Sequence, residues 1–140
     1  MRRWVMLLAA GLMIGAAGAG AQEPPLQAAA AGVRAAWLAH DAGGVVASGP
    51  EILVQLPGAD PAPAVGRAQA AALLRGFLAG GKDIEVTVRS ARQVQPGVGY
   101  VELQRRFRVT GTQELRSQRV LLAYRLTGAR WELAELRVVE

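Results

Sequence analysis

From Ile84 to Glu140 apolar and polar residues alternate in four segments, with a Gly-containing turn between neighbours. Period-two alternation places one set of side chains on a buried sheet face and the other in solvent. Ile84, Val86 and Val88 alternate with Glu85, Thr87 and Arg89, in a segment extending towards Val94. After Pro96-Gly97, Val101, Leu103, Phe107 and Val109 share a face opposite Tyr100, Glu102, Gln104, Arg106 and Arg108. After Gly111, Val120, Leu122, Tyr124 and Leu126 share one, and Gly128-Ala129 forms a hairpin turn into Trp131. In the last segment Trp131 and Leu133 are out of phase with Leu136 and Val138. A bulge near Ala134-Glu135 predicts all four on one side; without one, Ala134, Leu136 and Val138 lie on the core face and Trp131 caps the edge.

Upstream the period changes. Leu26, Ala30, Val33 and Trp37 recur at helical spacing, predicting a helix over Pro25–Ala39, with Asp41 capping a short helical turn through Ala47. Glu51–Leu56 reads as a strand, and Pro57–Pro63 as a rigid loop. Arg67–Ala79 reads as a helix with Ala70, Leu73, Leu74, Phe77 and Leu78 on its apolar face, stopped by Gly80-Gly81. Helices followed by a meander predict an α+β domain, with the helices packed on one face of a mostly antiparallel sheet that the bulge lets become curved.

Composition adds an address. Arg2-Arg3, the apolar run Trp4–Ile14 and Ala19-Gly20-Ala21 have the layout of a secretory signal peptide over residues 1–21. The apolar run is short of the ~20 residues of a membrane span, so no stable span is expected after leader cleavage. An exported protein, periplasmic or extracellular, is expected, with residues 22–140 as a single domain. The net charge of +5 falls to +3 without Arg2 and Arg3, too small an excess to point to nucleic acid.

The order of elements resembles the nuclear transport factor 2-like superfamily, a cystatin-like cone. Within it, Ile52-Leu53-Val54-Gln55-Leu56-Pro57-Gly58, the Gln69–Leu78 helix and Trp131–Val138 are similar to a bacterial family of exported domains of unknown function. The resemblance implies a sheet curled around helices with a pocket at one end. It also implies functions from isomerase and dehydratase to ligand binding and protein docking.

The candidate chemistry is sparse. One histidine, no cysteine and no converging carboxylate pair argue against a metal site, and no cofactor is expected. Gly97-x-Gly99 lies between strands and is not a phosphate loop. His40-Asp41 reads first as a helix terminus. Arg105 falls on the apolar face, where it must pair with a core-facing acid, reach solvent or bind an anionic group. Tyr124 is the one apolar-face hydroxyl suited to an oxyanion, but no carboxylate is assigned to that face. The pocket candidates are thus Trp37, Phe77, Arg105, Tyr124 and Trp131. Arg106, Arg108, Arg116, Arg119 and Arg125 read as a solvated face interleaved with Glu102 and Glu114. The expected function is a non-catalytic module binding a small apolar or anionic ligand or an envelope protein, as a monomer or homodimer. The alternative is a small cofactor-free isomerase- or dehydratase-like enzyme.

Overall fold

The computed structural model describes residues 24–140, so the expected leader lies outside the described residues. α1 (Leu26–Leu38) buries Leu26, Ala30, Val33 and Trp37, the predicted stripe. α2 (Ala42–Val46) is capped by Asp41, whose side chain accepts from the Gly44 amide at 3.0 Å. β1 (Glu51–Gln55) is followed by the two-residue β2 (Val65–Gly66), which the sequence pattern did not predict. α3 (Arg67–Leu78) buries Ala70, Ala71, Leu74 and Leu78. Leu73, expected on its apolar face, is 43% exposed, because the helix rolls the small Ala71 inward. β3 (Gly81–Gln95), β4 (Val98–Val109), β5 (Leu115–Thr127) and β6 (Arg130–Val139) form the long meander.

The six strands run in the order β2-β1-β6-β5-β4-β3. β1 pairs in parallel with β6, and the other pairs are antiparallel. The inner face carries Val101, Leu103, Val120, Leu122, Leu133 and Leu136, each at most 1% exposed, and α1 and α3 pack against it. α1 also donates from Arg34 Nε to the Val86 carbonyl at 2.6 Å. At the other end of the sheet the Trp131 indole donates to the Pro24 carbonyl at 2.7 Å.

The last strand behaves as its phase slip predicts. The β5–β6 register jumps from Ala123↔Glu135 to Tyr124↔Leu133, leaving Ala134 as the extra residue. Trp131, Leu133, Leu136 and Val138 are all buried. β3 departs from its reading. Its pairing with β4 slips between Asp83 and Glu85, between Val88 and Ser90, and between Gln93 and Gln95. At the first slip Ile84, expected in the core, is 45% exposed, and the Asp83 side chain turns inward with no exposed surface. The expectation that the inner face holds no carboxylate is therefore overturned: the bulge shifts the phase by one residue, and one residue changes the face.

Candidate functional site

Three local features bring polar groups together at the end of the sheet where β3 begins and β4 ends. The first is the β3 bulge, which aims Asp83 inward. The second is β4, whose unbroken alternation places Arg105 on the inner face, where it is 1% exposed. The third is the end of α1. The Asp41 amide bonds to the Ala36 carbonyl at 2.8 Å and the His40 amide to the Trp37 carbonyl at 2.9 Å, the pair of a Schellman closure. That closure needs a left-handed residue, usually glycine, and His40 holds it with φ 54. A β-carbon there costs roughly 1–2 kcal/mol. The imidazole is what the chain gains: His40 Nε2 lies 2.6 Å from Asp83 Oδ2.

Asp83 is the centre of the cluster. Arg105 grips it with both arms of its fork, Nε to Oδ1 at 2.8 Å and Nη2 to Oδ2 at 3.1 Å. Arg105 Nη1 donates to Gln118 Oε1 at 3.4 Å, and Gln118 Nε2 donates to Glu140 Oε1 at 3.2 Å. The guanidinium carbon lies 4.0 Å from the Phe107 ring centroid, 5.3 Å from that of Phe77 and 5.5 Å from that of Trp37. Burial lowers the Arg105 pKa and the Asp83 charge offsets part of that, so the guanidinium stays protonated. Gly81 leaves room for the arrangement, since a β-carbon there would stand 2.6 Å from Phe107 Cδ2 and 3.3 Å from Arg105 Nη2. His40, with 32% of its side chain exposed, is the member of the His40–Asp83–Arg105 series that meets solvent.

Trp37, Phe77 and Arg105, three of the sequence candidates, are thus neighbours; Trp37 and Phe77 also meet edge to face at 6.4 Å. Tyr124 and Trp131 lie elsewhere. Tyr124 stands across from Gly99, and Asp83 across from Phe107. Those β4 partners are eight residues apart, roughly 26 Å along the strand at about 3.3 Å per residue. Burial raises the Tyr124 pKa, so the phenol is neutral, and no carboxylate faces it in the strand register. Asp83, and the partnership of the His40 imidazole with it, are the members of this cluster that the sequence pattern does not pick out. The need of Arg105 for a core-facing acid was the only signal for Asp83.

A second feature lies on the helix-free face of the sheet. A groove of about 460 Å³ crosses β3, β4, β5 and β6. The register arranges its side chains in two transverse rows, Arg92–Tyr100–Ala123–Glu135 and Ser90–Glu102–Leu121–Arg137. Tyr100 is 50% exposed. Glu135 pairs with Arg137 at 2.6 Å and Glu102 with Arg119 at 3.3 Å. Arg116, grouped with the outward arginines by its sequence position, is instead across from Phe107 in the inward register and pairs with Glu114 at 2.9 Å. Among the described residues no group of three or more metal-binding side chains forms, and no helix is long and apolar enough to cross a membrane.

No family model and no curated protein matches the chain. Solved structures do. A DUF4783 family protein from Bacteroides ovatus aligns over 84% of this chain and 94% of its own, with a TM-score of 0.64 and 17% identity. A ketosteroid isomerase-like protein from Erwinia carotovora atroseptica aligns over 81% of this chain and 91% of its own, with a TM-score of 0.65 and 18% identity. The fold is the nuclear transport factor 2-like cone. A third protein of this cone type, from Catenulispora acidiphila and described as having a ketosteroid isomerase-like fold, was solved in complex with trimethylamine. It covers 79% of this chain and 82% of its own at 15% identity, with a TM-score of 0.60. At these identities the cone is shared and the chemistry is not implied.

Proposed function

We propose that the protein is an exported, non-catalytic binding module that takes a small amphiphilic ligand in the groove of its helix-free face. The observation that carries this reading is the pair of rows across the groove. An apolar floor of Tyr100, Leu121 and Ala123 lies between charges of both signs, Arg92 and Arg137 with Glu102 and Glu135. The volume of about 460 Å³ falls in the range of small-molecule sites. An apolar body with an anionic group towards Arg92 and a cationic or hydroxyl group towards Glu135 matches both the floor and the ends. The inner face supports the same conclusion from the other side, because its polar groups are spent on one another and its tyrosine lies far from its carboxylate. The binding of trimethylamine by a cone of this type is consistent with a small-ligand role.

Native mass spectrometry of the protein purified from its exporting host tests this reading. Retained mass of a few hundred daltons is expected, lost in Tyr100→Ala and in Arg92→Glu while thermal stability is unchanged. Ligand-free spectra, or retention by both variants, would overturn it.

A second reading is a cofactor-free isomerase- or dehydratase-like enzyme, favoured by one observation: the half-exposed His40 imidazole oriented by buried Asp83. A histidine so oriented is a competent general base. Exchange of α-protons from a panel of carbonyl compounds into deuterated water, followed by NMR, would show it. Exchange that disappears in His40→Gln would support the enzyme, and exchange equal to the buffer rate would remove it.

A further inference from the structure

We propose that the chamber formed by Trp37, Phe77, Phe107, Asp83 and Gln118 is a guanidinium-recognition site, and that Arg105 is its ligand, supplied by the chain itself. The inference concerns the inner face and is independent of the groove on the other side of the sheet.

The case rests on how completely the surroundings are matched to one cation. Aromatic faces attract a cation within about 6 Å of their centroids, and three surround this one at 4.0, 5.3 and 5.5 Å. A carboxylate accepts a guanidinium with two parallel hydrogen bonds, a geometry an ammonium cannot reproduce, and Asp83 does so at 2.8 and 3.1 Å. The third arm of the guanidinium, Nη1, meets the Gln118 carbonyl oxygen. Asp83 is itself held from its far side by His40, and Gly81 is small where a β-carbon would press on both the Phe107 ring and Arg105 Nη2. Filling volume needs none of this. A Leu or Met would fill the space without a buried acid, a strained histidine or a glycine, and buried ion pairs rarely add stability over apolar side chains of the same size. The surroundings have the composition of a receptor: rings on the faces, acceptors at the edge, a second residue orienting the carboxylate. The ligand class is a planar, singly alkylated guanidinium. Its alkyl chain enters from β4, where Arg105 is attached.

Such a site is saturated in the wild-type chain, because a tethered ligand outcompetes free ones. Truncating the tether vacates it. The experiment is thermal unfolding of Arg105→Ala with millimolar ethylguanidinium, and with equal concentrations of ethylammonium as the cation that lacks the fork. A Tm increase of at least about 4 °C is expected with ethylguanidinium, growing with the logarithm of its concentration. Little increase is expected with ethylammonium and none for wild type with either. If Arg105→Ala does not fold alone, the refolded fraction in each cation, read by tryptophan fluorescence, replaces Tm. The double variant Arg105→Leu, Asp83→Leu, in which the acid is gone and the space is filled, is expected not to respond. Equal responses to the two cations, a response that persists in the double variant, or no response of Arg105→Ala to ethylguanidinium would each overturn the proposal.

Discussion

Arg105 and Asp83 illustrate why a buried ion pair must be judged by what is left when half of it goes. Removing either partner strands a charge in a water-free setting, which costs about 3–5 kcal/mol. Arg105→Ala and Asp83→Ala are each expected to lose that much in urea unfolding, whereas Arg105→Leu with Asp83→Leu is expected to recover most of it. His40 separates two opposing terms. Glycine accepts a left-handed backbone without strain, so His40→Gly is expected to be more stable than His40→Ala by about 1 kcal/mol. Both should fall below the wild type, because a hydrogen bond to a charged group contributes about 1.5–3 kcal/mol. Should His40→Gly exceed the wild type, the imidazole contributes less than its backbone costs. Tyr124 adds a pH dependence. Burial raises its folded pKa above the ordinary 10.0, so the folded chain holds the phenolic proton more tightly than the unfolded one. The associated stability is present below pH 10 and is lost as pH rises above it. Alkaline unfolding is therefore expected to begin at higher pH in Tyr124→Phe, provided the variant keeps its packing. Most of this was not legible residue by residue. Arg105 announced itself as a charge on an apolar face, but its partner is 22 residues away in the chain and the histidine further still, and local spacing says nothing about who meets whom across a sheet.

At the level of elements, regular periodicity was readable and broken periodicity was readable only where its apolar residues disagreed. α1, β4 and β5 keep one phase throughout, and their buried faces are those the pattern predicts. In β6 the slip showed because Trp131 and Leu133 are apolar on one side of it and Leu136 and Val138 on the other. In β3 the apolar series Ile84, Val86, Val88 runs straight through the bulge and conceals it, so Asp83 is not among the inward positions the pattern picks out. This makes Ile84 a spacer more than a packing residue. Ile84→Ala is expected to change stability by less than about 0.5 kcal/mol, as exposed substitutions do. Deleting Ile84 straightens β3 but leaves Asp83 across from Phe107, two positions before the inward Val86, so the pair with Arg105 is kept and the loss of about 3–5 kcal/mol that follows a broken buried pair is not expected. Urea unfolding of the two variants makes the comparison. A loss of that size in the deletion would mean that Asp83 needs the extra residue to reach Arg105.

For the molecule as a whole, the two faces of one sheet are given different tasks. The inner face is closed by helices and holds its own cation; the outer face is open and carries ion pairs of mixed sign around Tyr100. The architecture was legible as helices against a meander, since each layer has its own period. The parallel pairing of β1 with β6 was not, because it joins Leu53 to Glu135 across almost the whole domain and no local signal carries it. The mixed charges give the open face a testable character. Exposed pairs are screened as salt rises, with a Debye length of about 10 Å at 0.1 M and 3 Å at 1 M. Ligand retention in the groove is expected to weaken between those concentrations, while thermal stability, set by the buried face, changes little. Retention that is indifferent to salt would assign the binding to the apolar floor alone.

The indole of Trp131 holds the carbonyl of Pro24, a residue 107 positions earlier in the chain. Leu26, two residues on, fits against Gly99, where a β-carbon would stand 2.6 Å from its Cδ2. The beginning of α1 is therefore fastened by strands made much later than itself. A ribosome that has delivered α1 has not yet delivered the hairpin that secures it, so the domain cannot close progressively from its front. Every intermediate length of chain lacks its clasp, and the native state arrives only once the final strand is free. The export we propose for this chain would draw on that late closure, since a chain without its last strand has not yet closed.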